Sequence, residues 1–283
     1  MSSSIPSAYR GTCEHLLDNL NELFLGDEGR IPIGPETLNE KLHGLRDEFV
    51  LIYGPAGVGK TDLAINIGYA ASKRVRVIML TLELSPKGIM RRMLPLQSAC
   101  FDFENRLEVE SFGQISNLAK RQQEHANRVI ELARDACTSI TLVGDSIGDN
   151  SSSRRTAEEL ERAVDAYKEA GTDVLAIVDY TQLVDTDKPS LNTTDQIDKI
   201  TRVLARIAHS KQVPVIAISA VDKTGKLRGS SMLNHDPDII LHLTTRESFK
   251  DHRNIEIDIE KWREGRSRSS IDLTYYPASH FFE

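Results

Sequence analysis

Eight short apolar runs, separated by stretches with helical spacing, restrict this chain more than any other feature. They are "EFVLIY" (48–53), "VRVIMLTLE" (75–83), "SITLVG" (139–144), "VLAIVDY" (174–180), "VPVIAIS" (213–219), "DIILHL" (238–243), "IEIDIEKW" (255–262) and "SIDLTYY" (270–276). Several are apolar almost throughout, as strands covered on both faces are, so the alternation predicts a mostly parallel sheet with helices on both sides. Thr156 and Glu159 have capping-box spacing, Leu160, Ala163, Val164 and Tyr167 form an apolar stripe, and Gly171 stops it. Ser85 before Pro86 marks another helix start; Thr193 with Gln196 marks a third, whose stripe is Ile197, Ile200, Leu204 and Ile207. The last two runs lie close together around "REGRSRS", which predicts an antiparallel hairpin at the sheet edge.

Ahead of this core, "CEHLLDNLNELFLGDEG" places Leu16, Leu17, Leu20, Leu23 and Phe24 on one helical face. Residues 1–30 therefore read as an amphipathic helix and linker, and 31–283 as one domain. That helix can pack on its own domain or swing out to a neighbouring subunit.

A chain of 283 residues with 40% apolar and 27% charged residues is that of a soluble globular protein. No stretch approaches the roughly 20 apolar residues of a membrane span. "MSSSIPSAYRG" lacks the apolar core of a signal peptide, so a cytoplasmic location without membrane contact is expected. Cys13, Cys100 and Cys137 are too far apart for a zinc pattern and odd in number, which suits reduced thiols. The net charge of −7 argues against a nucleic-acid-coated protein while leaving room for a local basic channel in an oligomer.

Between the first run and a helix lies "GPAGVGKTD", which fits G-x-x-x-x-G-K-[ST] as Gly54, Gly59, Lys60 and Thr61. Such a turn lets successive backbone N–H groups curl around phosphate oxygens, with the positive end of the next helix behind them. Residues Gly54, Pro55, Ala56, Gly57, Val58, Gly59, Lys60, Thr61 and Asp62 are the expected cradle of a nucleoside triphosphate. Lys60 would reach the β- and γ-phosphates, and the Thr61 hydroxyl would hold Mg²⁺. Asp179, at the end of a buried run where ligands collect in open α/β sheets, is a second candidate for the metal. Glu83 ends another apolar run just before a helix; it is either a surface glutamate or a base for attacking water.

In "LTLELSPKGIMRRML", "VLAIVDYTQLV" and "IEIDIEKWREG", in that order and spacing, the chain resembles the RecA-like ATPase domain of DnaB-type replicative DNA helicases, from about residue 31 to the end. The resemblance implies an α/β RecA-like P-loop NTPase core with a C-terminal antiparallel hairpin, using ATP and Mg²⁺. It implies that Glu83 is the catalytic base, Asp179 the metal-site aspartate, and Arg92 an arginine near the nucleotide base. Lys261 and Arg263 match the lysine and arginine that the family inserts into the next subunit's ATP site; their alternation puts both on one face, although solvated charges on an edge strand would look the same. Cations supplied in trans need a head-to-tail contact, hence a ring or filament. The family favours a hexameric ring translocating 5′ to 3′ on single-stranded DNA, with the N-terminal helix packed on the adjacent subunit.

Two departures bear on that expectation. The family places a γ-phosphate-sensing glutamine after the strand ending at Ser219, where this chain has Ala220. The following loop, "VDKTGKLRGSS", is short and has Gly229 where a glutamate is usual, yet it keeps Lys223, Lys226 and Arg228, cations able to grip a phosphodiester backbone or simply to face solvent. The family's N-terminal domain has no counterpart in these residues, as in a compact phage- or plasmid-type helicase. Replication or loader proteins are expected partners; a nucleotide-switched assembly or loader module without helicase activity is the alternative function, and a recombinase-like filament a third.

Overall fold

The computed structural model describes residues 30–143, 156–179, 181, 184, 193–221, 227, 232–265 and 268–283. Its strands are β1 (Phe49–Tyr53), β2 (Arg76–Thr81), β3 (Ile140–Val143), β4 (Val174–Asp179), β5 (Val215–Ser219), β6 (Ile239–Ser248), β7 (Arg253–Trp262), β8 (Ser269–Tyr276) and β9 (Phe281–Phe282). They form one sheet in the order β3-β2-β4-β5-β1-β6-β7-β8-β9. The pairs from β3 across to β6 are parallel, and those from β6 to β9 antiparallel. Every residue of β1, β4 and β5 is buried, which their uninterrupted apolar runs require.

The helices are α1 (Glu36–Leu42), α2 (Lys60–Ala71), α3 (Pro86–Phe101), α4 (Val109–Gly113), α5 (Lys120–Thr138), α6 (Ala157–Glu169), α7 (Thr193–Lys211) and α8 (Met232–His235). On one face of the sheet, Leu63 and Ile67 of α2 and Ile89 and Met93 of α3 pack with Ile177, Ile216, Leu241 and Ile257. On the other, Leu160 and Val164 of α6 and Ile197, Ile200, Leu204 and Ile207 of α7 pack with Leu51, Val178 and Ala217. Each fully buried aliphatic side chain contributes about 1.5–3 kcal/mol, so these stripes, of which those of α6 and α7 are predicted from the sequence, hold the layers together. The helix starts also follow the sequence: Ser85 Oγ accepts the N–H of Gly88 at 3.2 Å, and Thr156 Oγ1 that of Glu159 at 3.1 Å.

The β7–β8 hairpin forms as the sequence predicts, but the antiparallel region is larger. β6 continues to Ser248, past the apolar "DIILHL", because its outer half pairs with β7 while its side chains face solvent. β9 pairs outside β8 and is the sheet edge. Parallel register sets the carboxyl ends level, with Tyr53 beside Ser219 and Thr81 beside Asp179. This is where an open α/β sheet collects ligands.

Candidate active site

The turn that follows β1 is pressed against β6. Gly54 has φ +153°, and a Cβ there would collide with the Leu243 carbonyl oxygen; Gly59 has φ +105°, and a Cβ there would meet the Phe282 ring at 2.9 Å. Both positions need glycine for space as well as for conformation. Val58 is buried and anchors the turn in the core. Lys60 Nζ donates to the carbonyls of Gly54 (2.8 Å) and Pro55 (2.9 Å), which keeps the ammonium under the turn. Burial pushes the Lys60 pKa down, against the opposing charges of Asp179 and Glu83.

Thr61 Oγ1 donates to Asp179 Oδ2 at 2.9 Å. Asp179 is 2% exposed, and its other carboxylate oxygen has no hydrogen-bond partner among the described residues. Burial pushes its pKa up to about 6, opposed by the Thr61 hydrogen bond and reinforced by the charge of Glu83. An orphaned buried carboxylate oxygen beside a hydroxyl suits a hard divalent cation. Thr61 and Asp179 are the residues that could hold Mg²⁺. No group of three or more His, Cys, Asp or Glu is placed to bind a metal among the described residues.

These groups line a cavity of about 500 Å³ shared with Ala56, Gly57, Glu83, Arg92 and Ala220. Ala220 presents only a methyl group, so no side-chain donor stands where the family pattern has a glutamine. The far wall comes from Arg253 of β7, Tyr275 of β8, and Pro277 and His280 of the short helical turn between β8 and β9, none of which belongs to a recognisable motif. Arg253 donates to the Gly57 carbonyl at 2.8 Å. Asp62, expected with the phosphate cradle, lines the cavity and also fastens this wall: its buried carboxylate takes Arg92, the Tyr275 hydroxyl and His280 Nδ1. Burial alone would raise the Asp62 pKa, but the hydrogen bond and charge of His280 and the charge of Arg92 outweigh it and hold the carboxyl below its usual range. Asn66 completes the fastening, donating to the His280 carbonyl (2.8 Å) and accepting from Phe282 N–H (3.1 Å).

Lys261 and Arg263 are not part of this cavity. Arg253, at the start of β7, lines it; Lys261 lies eight residues further along the same strand, about 26 Å at about 3.3 Å per residue. Ile240 pairs with Lys261 but Leu241 with Ile259, which leaves Glu260 as a β-bulge. Ile255, Ile257 and Ile259 pack on the α2 side. Beyond the bulge Lys261 shares the face of Ile240, which belongs to the opposite core, so the extra residue turns the lysine away from the apolar series. Lys261 Nζ then donates to the carbonyls of His235 (2.7 Å) and Asn234 (3.3 Å), and Arg263 to those of His235 (2.9 Å) and Asp236 (3.3 Å). Both cations reach the carboxyl end of α8.

Cys13, the N-terminal apolar face (Leu16, Leu17, Leu20, Leu23, Phe24), Gly229 and the cations Lys223, Lys226 and Arg228 lie outside the described residues. Cys100 and Cys137 are free thiols. No helix among the described residues is long and apolar enough to cross a membrane.

The Asp179 proton gives a test of the site's electrostatics. An unfolded aspartate loses its proton near pH 4, whereas here it is kept to about pH 6. The stability that this proton contributes is fully present below about pH 4 and is lost as pH rises through about 6, at a cost of about 3 kcal/mol. Asp179→Asn should therefore raise the Tm of the nucleotide-free protein by about 5–10 °C at pH 8 and hardly at all at pH 4, read by thermal unfolding at both pH values. Equal shifts at both would contradict the assignment.

Residues 30–283 match the model of the DnaB-like helicase C-terminal domain. Replicative DNA helicase DnaB of Buchnera aphidicola subsp. Baizongia pistaciae (strain Bp) is 28% identical over 291 residues, covering 93% of this chain and 58% of that protein. Its counterpart in Buchnera aphidicola subsp. Acyrthosiphon pisum (strain APS) is 30% identical over 278 residues, covering 89% and 57%. The chain thus spans a little over half the length of these curated relatives. Among solved structures, one described as an ATPase domain superposes with TM-score 0.77 at 21% identity, covering 96% of this chain and 98% of that one. A DnaB-like replicative helicase, described with its interactions with primase, superposes with TM-score 0.78 at 22% identity, covering 96% and 68%. The structural likeness establishes the RecA-like fold, and with the family model spanning residues 30–283, the chain belongs to the DnaB-like helicase C-terminal domain family.

Proposed function

We propose that this chain is an ATP-hydrolysing motor that assembles head to tail into a ring, hexameric as its family resemblance suggests, and moves 5′ to 3′ along single-stranded DNA in the cytoplasm. The observation that carries the reading is the separation of groups between the two ends of β7: the cavity at its Arg253 end holds Lys60, Thr61, Asp179 and Glu83, while Lys261 and Arg263 stand at the other end, held at α8. Two cations that cannot serve their own cavity suit the seam with a neighbour.

In this reading the glycine turn and Lys60 hold the β- and γ-phosphates, and Arg92 lies toward the nucleotide base. Thr61 and Asp179 hold Mg²⁺, which offsets phosphate charge when bound. Glu83 orients the attacking water and takes its proton at the carboxylate. Lys261 and Arg263 of the adjacent protomer stabilise the charge that develops on the transferred phosphoryl group, so turnover depends on assembly. Residues 1–30 would pack on that neighbour, Lys223, Lys226 and Arg228 would grip the DNA backbone, and replication or loader proteins would recruit the ring.

ATPase rate with and without single-stranded DNA, beside a mass measurement with a non-hydrolysable nucleotide, tests this. DNA should raise the rate, and the nucleotide should favour a multi-subunit particle. A rate unchanged by DNA, with no DNA binding at low salt, would contradict the motor; nucleotide-dependent assembly without DNA stimulation would mark a switch or loader module.

A further inference from the structure

Arg263 stands just past the end of β7 with its side chain 47% exposed, yet it is fastened at several points. Its N–H donates to the Asp238 carbonyl at 3.0 Å. One guanidinium nitrogen lies 3.0 Å from Asp238 Oδ1, and the other donates to the His235 and Asp236 carbonyls. Asp238 is 8% exposed and is itself held. Its Oδ2 accepts the N–H of Phe49 at 2.8 Å and lies 2.7 Å from His209 Nε2. Phe49 opens β1, the strand that runs straight into the glycine turn, and His209 is in the last turn of α7.

An exposed ion pair adds little to stability, and burying a carboxylate has a desolvation cost that its partners must offset. Position is what this arrangement supplies. An unrestrained arginine samples many rotamers, whereas a cation acting on a reacting phosphate works only from a narrow range of places. We propose that Asp238 is the positioning residue for Arg263, with His209 fixing Asp238 in turn, so that the guanidinium is presented to the seam before the neighbour arrives. This rests on the reading of Arg263 as a cation donated in trans.

Asp238→Asn keeps the size of the side chain and an acceptor for Phe49 while removing the charge that holds Arg263. With ATP, Mg²⁺ and single-stranded DNA, kcat of the whole chain should fall about 10- to 100-fold, and KM for ATP should stay within about twofold because the cavity is at the other end of β7. Mixed with Glu83→Gln subunits, which keep an intact Asp238–Arg263 pair, the variant should regain turnover at hybrid seams. A defect of folding or of the subunit's own cavity would not be repaired this way. His209→Ala should show a smaller fall of the same kind, about 3- to 10-fold, and decides alone if Asp238→Asn does not fold. Arg263→Ala is the control. If it loses turnover and the mixture restores it, the trans reading stands, and the proposal is then overturned by wild-type or faster rates in the Asp238 and His209 variants, or by losses that the mixture does not restore. If Arg263→Ala turns over normally, the trans reading fails and the proposal fails with it.

Discussion

Replacing Arg263 by alanine is expected to slow ATP turnover by about 10³- to 10⁵-fold, the range for an arginine supplied across a seam, while leaving ATP affinity nearly unchanged. The cavity that would bind the nucleotide takes nothing from Arg263: its lining comes from the glycine turn, α2, the ends of the parallel strands, and the wall of Arg253, Tyr275 and His280. The variant should also stay folded, because the Arg263 side chain is about half exposed and Asp238 keeps Phe49 and His209. Equilibrium binding of a fluorescent ATP analogue and the DNA-stimulated ATPase rate check the two halves of the prediction separately.

Glu83→Gln should be nearly as damaging by a different route. An amide is isosteric with the carboxylate but cannot accept the proton of an attacking water, so turnover should drop about 10²- to 10⁴-fold with nucleotide still bound. Glu83 is exposed at the cavity rim and its charge acts on both Lys60 and Asp179. Neutralising it should leave Lys60 less favourably charged and let Asp179 ionise at a lower pH than the present value of about 6. A titration of cation binding against pH in the variant, showing its midpoint moved to lower pH, checks this consequence independently of rate.

The parallel half of the fold was legible because strands such as "VLAIV" and "VIAI" are buried on both faces and show it as unbroken apolar runs. The glycine turn was legible because its chemistry is local, all within ten residues. Asp179 and Glu83 could be placed by the rule that sites form at strand ends. The other wall could not: His280 meets Asp62 across a separation of 218 residues, with no spacing to signal it. Helix α5 carries little signal in the sequence because only Ala126, Val129 and Ala133 of its 19 residues are buried, too thin a stripe to stand out from its charges. The bulge at Glu260 was hidden for a subtler reason. The alternation of Ile255, Ile257 and Ile259 would carry Lys261 onto the core face, and only the register with β6 reveals that one extra residue reverses it. The size of the antiparallel extension is likewise a property of pairing, since the outer half of β6 carries polar residues that on their own would also suit a loop.

The central claim is that each ATP site is completed by the adjacent protomer, and mixing two dead proteins addresses it most directly. Arg263→Ala supplies an intact cavity and Glu83→Gln an intact cation; combined at varying ratio and constant total concentration, they should show ATPase activity that is absent at both ends of the series and rises to a maximum between them. Activity that stays at the level of the separate variants at every ratio, or Arg263→Ala protein that hydrolyses ATP normally as a monomer, would contradict a site shared across the seam.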